Sequence, residues 1–100
     1  MAKRKIIWSH RARISLYRIL KYFADRNKSK AYSAKLYKKI NQEIQILKKY
    51  PNIGIQTDLE NVRALIFGHY IIYYEITEKE IIIHTIWDNR QNPDNLKIKG

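Results

Sequence analysis

Cysteine is missing from this 100-residue chain, which excludes disulfides, thiolate metal sites and a cysteine nucleophile and fits a reducing cytosol. Long apolar runs are missing as well. None approaches the roughly 20 residues of a membrane helix, and Met1-Ala2-Lys3-Arg4-Lys5 leads to only a short apolar stretch before Ser9, too little for a secretory signal. The chain therefore reads as a soluble cytoplasmic protein. Its three histidines are scattered and give no metal-ligand spacing. No glycine-rich phosphate loop or nucleophile elbow occurs, so neither metal nor cofactor is implied.

Acidic residues are the remaining scarcity. There are 9 Asp+Glu against 20 Lys+Arg, a formal net charge of +11, and such a chain calls for an anionic partner. The imbalance is local: residues 1–50 carry 15 Lys+Arg against Asp25 and Glu43, whereas residues 51–100 carry 5 against 7 acids. With 45% hydrophobic residues the chain can fold as one domain, residues 1–100, too small for a second core with its own cleft.

The first half reads as a strand from Lys3 to Trp8 and two helices. Ser9 is placed to cap the first helix, where Ala12, Leu16, Ile19, Leu20 and Phe23 recur at helical spacing and leave Arg11, Arg13, Arg18 and Lys21 outward. After Asn27-Lys28-Ser29, a second helix from about Lys30 to Tyr50 buries Leu36, Ile40, Ile44 and Leu47, and the two form an antiparallel hairpin. Pro51 and Gly54 stop it. A loop at Ile55 to Glu60 precedes strands at about 61–67, 69–76 and 80–87, with turns at Gly68 and Thr77-Glu78-Lys79-Glu80. The tail from Asp88 to Gly100 reads as irregular. The class is α+β, with both helices on one face of an antiparallel meander.

Turns centred on Gly68 and on Glu78-Lys79 place Arg63 beside Tyr73 and Tyr73 beside His84. Val62, Ala64, Ile66, Ile72, Tyr74, Ile76, Ile81 and Ile83 then line the face under the helices, and Arg63, Tyr73 and His84 form a polar row on the open face. A slip of one residue in either hairpin undoes this row. Arg63 has two readings: pairing with an acid such as Glu75 or Glu60, or binding phosphate through its planar fork. His84 is either a hydrogen-bonded strand residue or a group that moves protons near neutrality. Tyr73 reads as packing, His69 as part of its turn, Arg90 as solvated or touching substrate, and Trp8 and Trp87 as core or interface anchors.

The order of motifs resembles the RelE/ParE toxins, the toxin half of type II toxin-antitoxin modules. The residues are Leu47-Lys48-Lys49-Tyr50-Pro51-Asn52-Ile53-Gly54, Val62-Arg63-Ala64-Leu65, Tyr70-Ile71-Ile72-Tyr73-Tyr74-Glu75-Ile76, Ile81-Ile82-Ile83-His84-Thr85-Ile86 and Arg90-Gln91-Asn92-Pro93, spanning Ile6 to about Leu96. The resemblance implies a RelE/ParE-like fold, a cognate acidic antitoxin as partner, and one of two activities. RelE-like toxins enter the ribosome and cleave mRNA, which would give Arg63 the scissile phosphate, Arg90 a supporting role and His84 the best available acid/base position, without a metal. ParE-like toxins instead poison DNA gyrase and perform no chemistry of their own. Leu96 and Lys97 stand where RelE itself carries a C-terminal tyrosine. The leading expectation is the ribosome-dependent endoribonuclease. Its alternatives are the gyrase inhibitor and a non-catalytic basic module that holds nucleic acid through phosphates.

Overall fold

A computed structural model describes residues 4–90 together with Leu96 and Ile98. Strand β1 (Lys5–Trp8) runs into α1 (His10–Asn27) and α2 (Ala31–Lys49). A single 3-10 turn, Pro51–Ile53, leads to β2 (Ile55–Gln56), β3 (Val62–Phe67), β4 (Tyr70–Ile76) and β5 (Glu80–Asp88). The five strands form one sheet in the order β1-β5-β4-β3-β2, all neighbours antiparallel except β1 and β5.

Ser9 does more than cap α1. Its Oγ accepts from the Ala12 N–H at 3.0 Å and donates to the His84 carbonyl at 2.9 Å, while its own N–H reaches the Ile83 carbonyl at 3.0 Å. The helix start is thus fixed to β5. The polar link between the helices closes through Lys28, whose left-handed backbone (φ 50°) caps α1 by bonding to the Ala24 carbonyl. The apolar stripe of α2, namely Leu36, Ile40, Ile44 and Leu47, is buried with Ala12 against Ile72, Tyr74, Ile81, Ile83 and Ile86 of the sheet. Leu16, Ile19, Leu20 and Phe23 pack at its border. Burial of each such aliphatic side chain stabilises by roughly 1.5–3 kcal/mol.

Several expectations need correction. The loop expected from Ile55 begins with β2, which pairs Ile55 with Ala64 and Gln56 with Arg63. The first hairpin is displaced by one residue: Phe67 pairs with Tyr70 and Arg63 with Tyr74, not Tyr73. The physical reason is the turn. A two-residue loop, Gly68-His69, closes this ladder, with the positive φ (59°) at Gly68 that glycine takes without cost. The displacement exchanges the faces of β3, so that Leu65 and Phe67 pack on the core while Ile66 is 58% exposed on the opposite side. Val62 is buried, but outside the core cluster, where the bend at 57–61 bonds to its backbone.

In the second hairpin the expected pairs Tyr74–Ile83, Glu75–Ile82 and Ile76–Ile81 are present. A β-bulge then shifts the register, so Tyr73 pairs with Thr85 and His84 is the residue left without a cross-strand partner. Asp88, expected in the tail, ends β5. Asn89 and Arg90 form a turn, and the Gln91-Asn92-Pro93 part of the tail motif, like Lys3 at the start of the expected first strand, lies outside the described residues.

Candidate functional site

Residues from three of the sequence motifs meet at the exit of α2. Tyr74, fully buried on the helix-covered face, sends its hydroxyl to the Pro51 carbonyl at 2.6 Å and accepts from the Gly54 N–H at 2.9 Å. Arg63 lies beside it on the same face by register. Its Nη1 donates to the Gly54 carbonyl at 2.7 Å and to the Asn52 carbonyl at 3.2 Å. A Cβ on Gly54 would stand 2.6 Å from the Tyr74 hydroxyl and 3.0 Å from the Ala64 carbonyl, so only glycine fits without movement. Burial raises the Tyr74 phenol above its ordinary value, against the lowering effect of the Gly54 contact and of Arg63. This is a closed knot that satisfies backbone groups where the helix stops.

His84 lies on the other face. Its Nε2 is 2.7 Å from Glu75 Oε1, with both side chains largely buried, and Glu75 follows Tyr74 in β4, so it points to the side away from the helices. The bulge turns His84 there too, an instance of a bulge re-aiming a side chain. Arg90 sits at a third place. It follows β5 at the end where Asn89 N–H bonds to the His69 carbonyl at 2.8 Å, the Gly68 end of the hairpin. Its Nε and Nη2 grip the two carboxylate oxygens of Asp88 at 2.9 and 2.7 Å. That bidentate contact holds the Asp88 carboxyl below the usual carboxylate range and Arg90 above the usual guanidinium range.

Arg63, His84 and Arg90 are therefore not brought together. Arg63 and His84 occupy opposite faces, and Arg63 is separated from the Asp88 level of the sheet by four strand steps, about 13 Å. The row Arg63, Tyr73, His84 does not form, because each hairpin carries the displacement that undoes it. Among the described residues no group of His, Asp and Glu could hold a metal ion, and no helix is long and apolar enough to cross a membrane.

A concave feature lies elsewhere, a cleft of about 690 Å³ between α1 and the Thr85–Asp88 segment of β5. Arg11, Arg18, Arg26 and Arg90 enter its wall together with Tyr22 and Trp87. Reading α1 for its apolar stripe left Arg11 and Arg18 simply outward and did not single out Arg26. The signal that finds them is their spacing, seven and then eight residues, which returns them to one side of the helix.

A family model for the ParE toxin of the type II toxin-antitoxin system parDE matches residues 6–93. Among solved structures, one of the chromosomal ParDE system of P. aeruginosa superposes with a TM-score of 0.73 at 18% identity, covering 84% of this chain and 94% of that one. A chain of the E. coli DinJ-YafQ toxin-antitoxin complex superposes with a TM-score of 0.58 at 12% identity, covering 89% of this chain and 96% of that one. No curated protein matches in direct sequence comparison. At these identities the two structures bear on the fold, whereas the family match spans most of the sequence. The chain belongs to the ParE toxin family of type II toxin-antitoxin systems.

Proposed function

We propose that this toxin acts by occupying its target rather than by cleaving RNA, with DNA gyrase as the target and a cognate acidic antitoxin as its neutralising partner. The observation that supports the reading is the separation of the three groups that RNA transesterification would need. A phosphate-binding arginine and a proton-transferring group must lie within hydrogen-bond reach of one phosphodiester. Here the Nη1 of Arg63 is engaged by two backbone carbonyls, His84 is held by Glu75 on the opposite face, and Arg90 is paired with Asp88 at the far end of the strands. The charge of +11 suits both an acidic antitoxin and a DNA-bound target, since complementary charge speeds encounter and fixes orientation.

The deciding experiment places one preparation of the toxin in two assays: gyrase supercoiling, and primer extension on mRNA in translating ribosomes. The expected result is arrested supercoiling with intact mRNA, unchanged by His84→Gln. Codon-positioned breaks that His84→Gln slows by roughly 10²–10⁴ would restore the nuclease reading. Coexpression with the neighbouring antitoxin gene should restore growth.

A further inference from the structure

We propose that the cleft between α1 and β5 is a binding site for a single strand of nucleic acid, with arginines taking the phosphates and exposed rings taking the bases. The inference goes beyond the choice of target, since it concerns a surface that none of the candidate catalytic positions except Arg90 enters.

The charge comes first. Arg11, Arg18 and Arg26 fall within an arc of about 80° on α1 and are spaced by about 10 and 12 Å along its axis. Arg90 faces them from the end of β5, and among the described residues Asp88 is the acid that shares the cleft. Asp88 is already occupied, for both its oxygens accept from Arg90 and one also accepts from the Arg90 backbone N–H. The carboxylate therefore fixes the plane of Arg90 and leaves the cleft strongly positive. Planar, weakly hydrated guanidinium groups in a row along a groove form a phosphate track.

The rings distinguish a nucleic acid from an acidic peptide. Tyr22 is 53% exposed, yet it is not loose. Arg26 Nη1 donates to its hydroxyl at 2.8 Å, the Arg26 guanidinium lies 5.9 Å from its ring centroid, and Phe23 meets it edge-on at 5.1 Å. An aromatic ring that is held in place and left open beside arginines is a stacking platform, sequence-tolerant because every base offers a π-face. Trp87, half-buried in the opposite wall, supplies a second apolar surface. A peptide carboxylate would use the charges and have no use for the fixed ring. The volume of about 690 Å³ is that of a site for a small organic molecule, so the cleft takes a base with its sugar-phosphate and leaves the rest of the strand to the flanking arginines.

Fluorescence anisotropy of labelled oligothymidylate and oligouridylate with the full-length toxin tests the site. Wild type should bind one or both, and the preference between them assigns DNA or RNA. Arg18→Gln combined with Arg26→Gln should weaken binding roughly tenfold or more and reduce the slope of log K against log salt by about 1.4, two phosphate contacts on a single strand. Tyr22→Leu keeps an apolar side chain without the π-face and should weaken binding roughly 5- to 100-fold with the salt slope unchanged. Lys38→Gln with Lys39→Gln removes the same charge from α2, away from the cleft, and should have a much smaller effect. Absence of binding by wild type, or equal loss in the α2 control, overturns the proposal. So does a Tyr22→Leu variant that binds as wild type while a glutamate-rich peptide displaces the strand, which would assign the cleft to acidic protein.

Discussion

Two arginine environments in this molecule differ in nearly every respect. Arg63 is partly buried, lies beside the Tyr74 hydroxyl, and points a corner of its fork at the Asn52 and Gly54 carbonyls. Arg18 and Arg26 stand exposed along α1, over a cleft in which, among the described residues, the one carboxylate is Asp88, paired with Arg90. The first environment resolves a problem that the backbone creates when a helix stops at proline. The second leaves positive charge unresolved. Side-chain identity is the same in both, and the difference is who needs the donor: in one case the chain itself, in the other something outside it. A motif residue can thus be engaged by the scaffold, while the arginines of α1 that line the cleft lie outside the motifs.

If the α2 exit is a closed knot, Gly54→Val should have the largest effect on stability. The new side chain meets the Tyr74 ring and the Ala64 carbonyl, and loss of about 3 kcal/mol is expected in denaturant unfolding. A variant as stable as wild type would show that the turn yields easily and that the knot is loose. Tyr74→Phe keeps the packing but leaves the buried Gly54 N–H without its acceptor and the Pro51 carbonyl without its donor. It should cost about 2 kcal/mol. Arg63→Ala should cost about 1 kcal/mol, since the lost bonds are partly solvated, and Arg63→Lys should recover a fraction because an ammonium reaches the carbonyls as a point charge. Full stability of Arg63→Ala with loss of toxicity would move Arg63 out of the scaffold and into the functional surface.

On the open side, pH sharpens the contrast. The Asp88 carboxyl is held down chiefly by Arg90. A depressed carboxylate contributes stability above its unfolded value, near 3.9, and loses it as pH falls through the lower folded value. Acid unfolding of Asp88→Asn should therefore show a shallower fall in stability below about pH 4 than wild type. Smallest of all, Arg18→Gln should leave stability within about 0.5 kcal/mol of wild type, whatever it does to binding. A larger loss would mean that the cleft arginines serve the fold after all.

Much of the fold was legible because its signals are local. The stripes of α1 and α2, the Ser9 cap and the proline stop each depend on a few neighbouring residues. The face of β3 was not legible from alternation, since Val62, Ala64 and Ile66 on one side look as apolar as Leu65 and Phe67 on the other. Only the two-residue loop at Gly68-His69 separates the alternatives. The bulge at His84 has no comparable signal, and with it went the geometry around His84. The knot was half legible: Tyr74 was placed on the covered face and Gly54 at the helix stop, but that Arg63 joins them depends on a register one residue away from the one expected.

The parallel pairing of β1 with β5 has a consequence for the time at which the toxin comes into being. Among the described residues β1 finds its ladder in β5, and the Ser9 hydroxyl that starts α1 bonds to a carbonyl 75 positions later. During synthesis the helical hairpin can emerge and form early, but its first strand has nothing to join until β5 has left the ribosome. At about 5–20 residues per second, that wait is on the order of 4–15 seconds. A strand made some 75 residues later is the one that seats the first, so a nascent chain cut short before β5 yields a basic helical hairpin rather than a folded toxin.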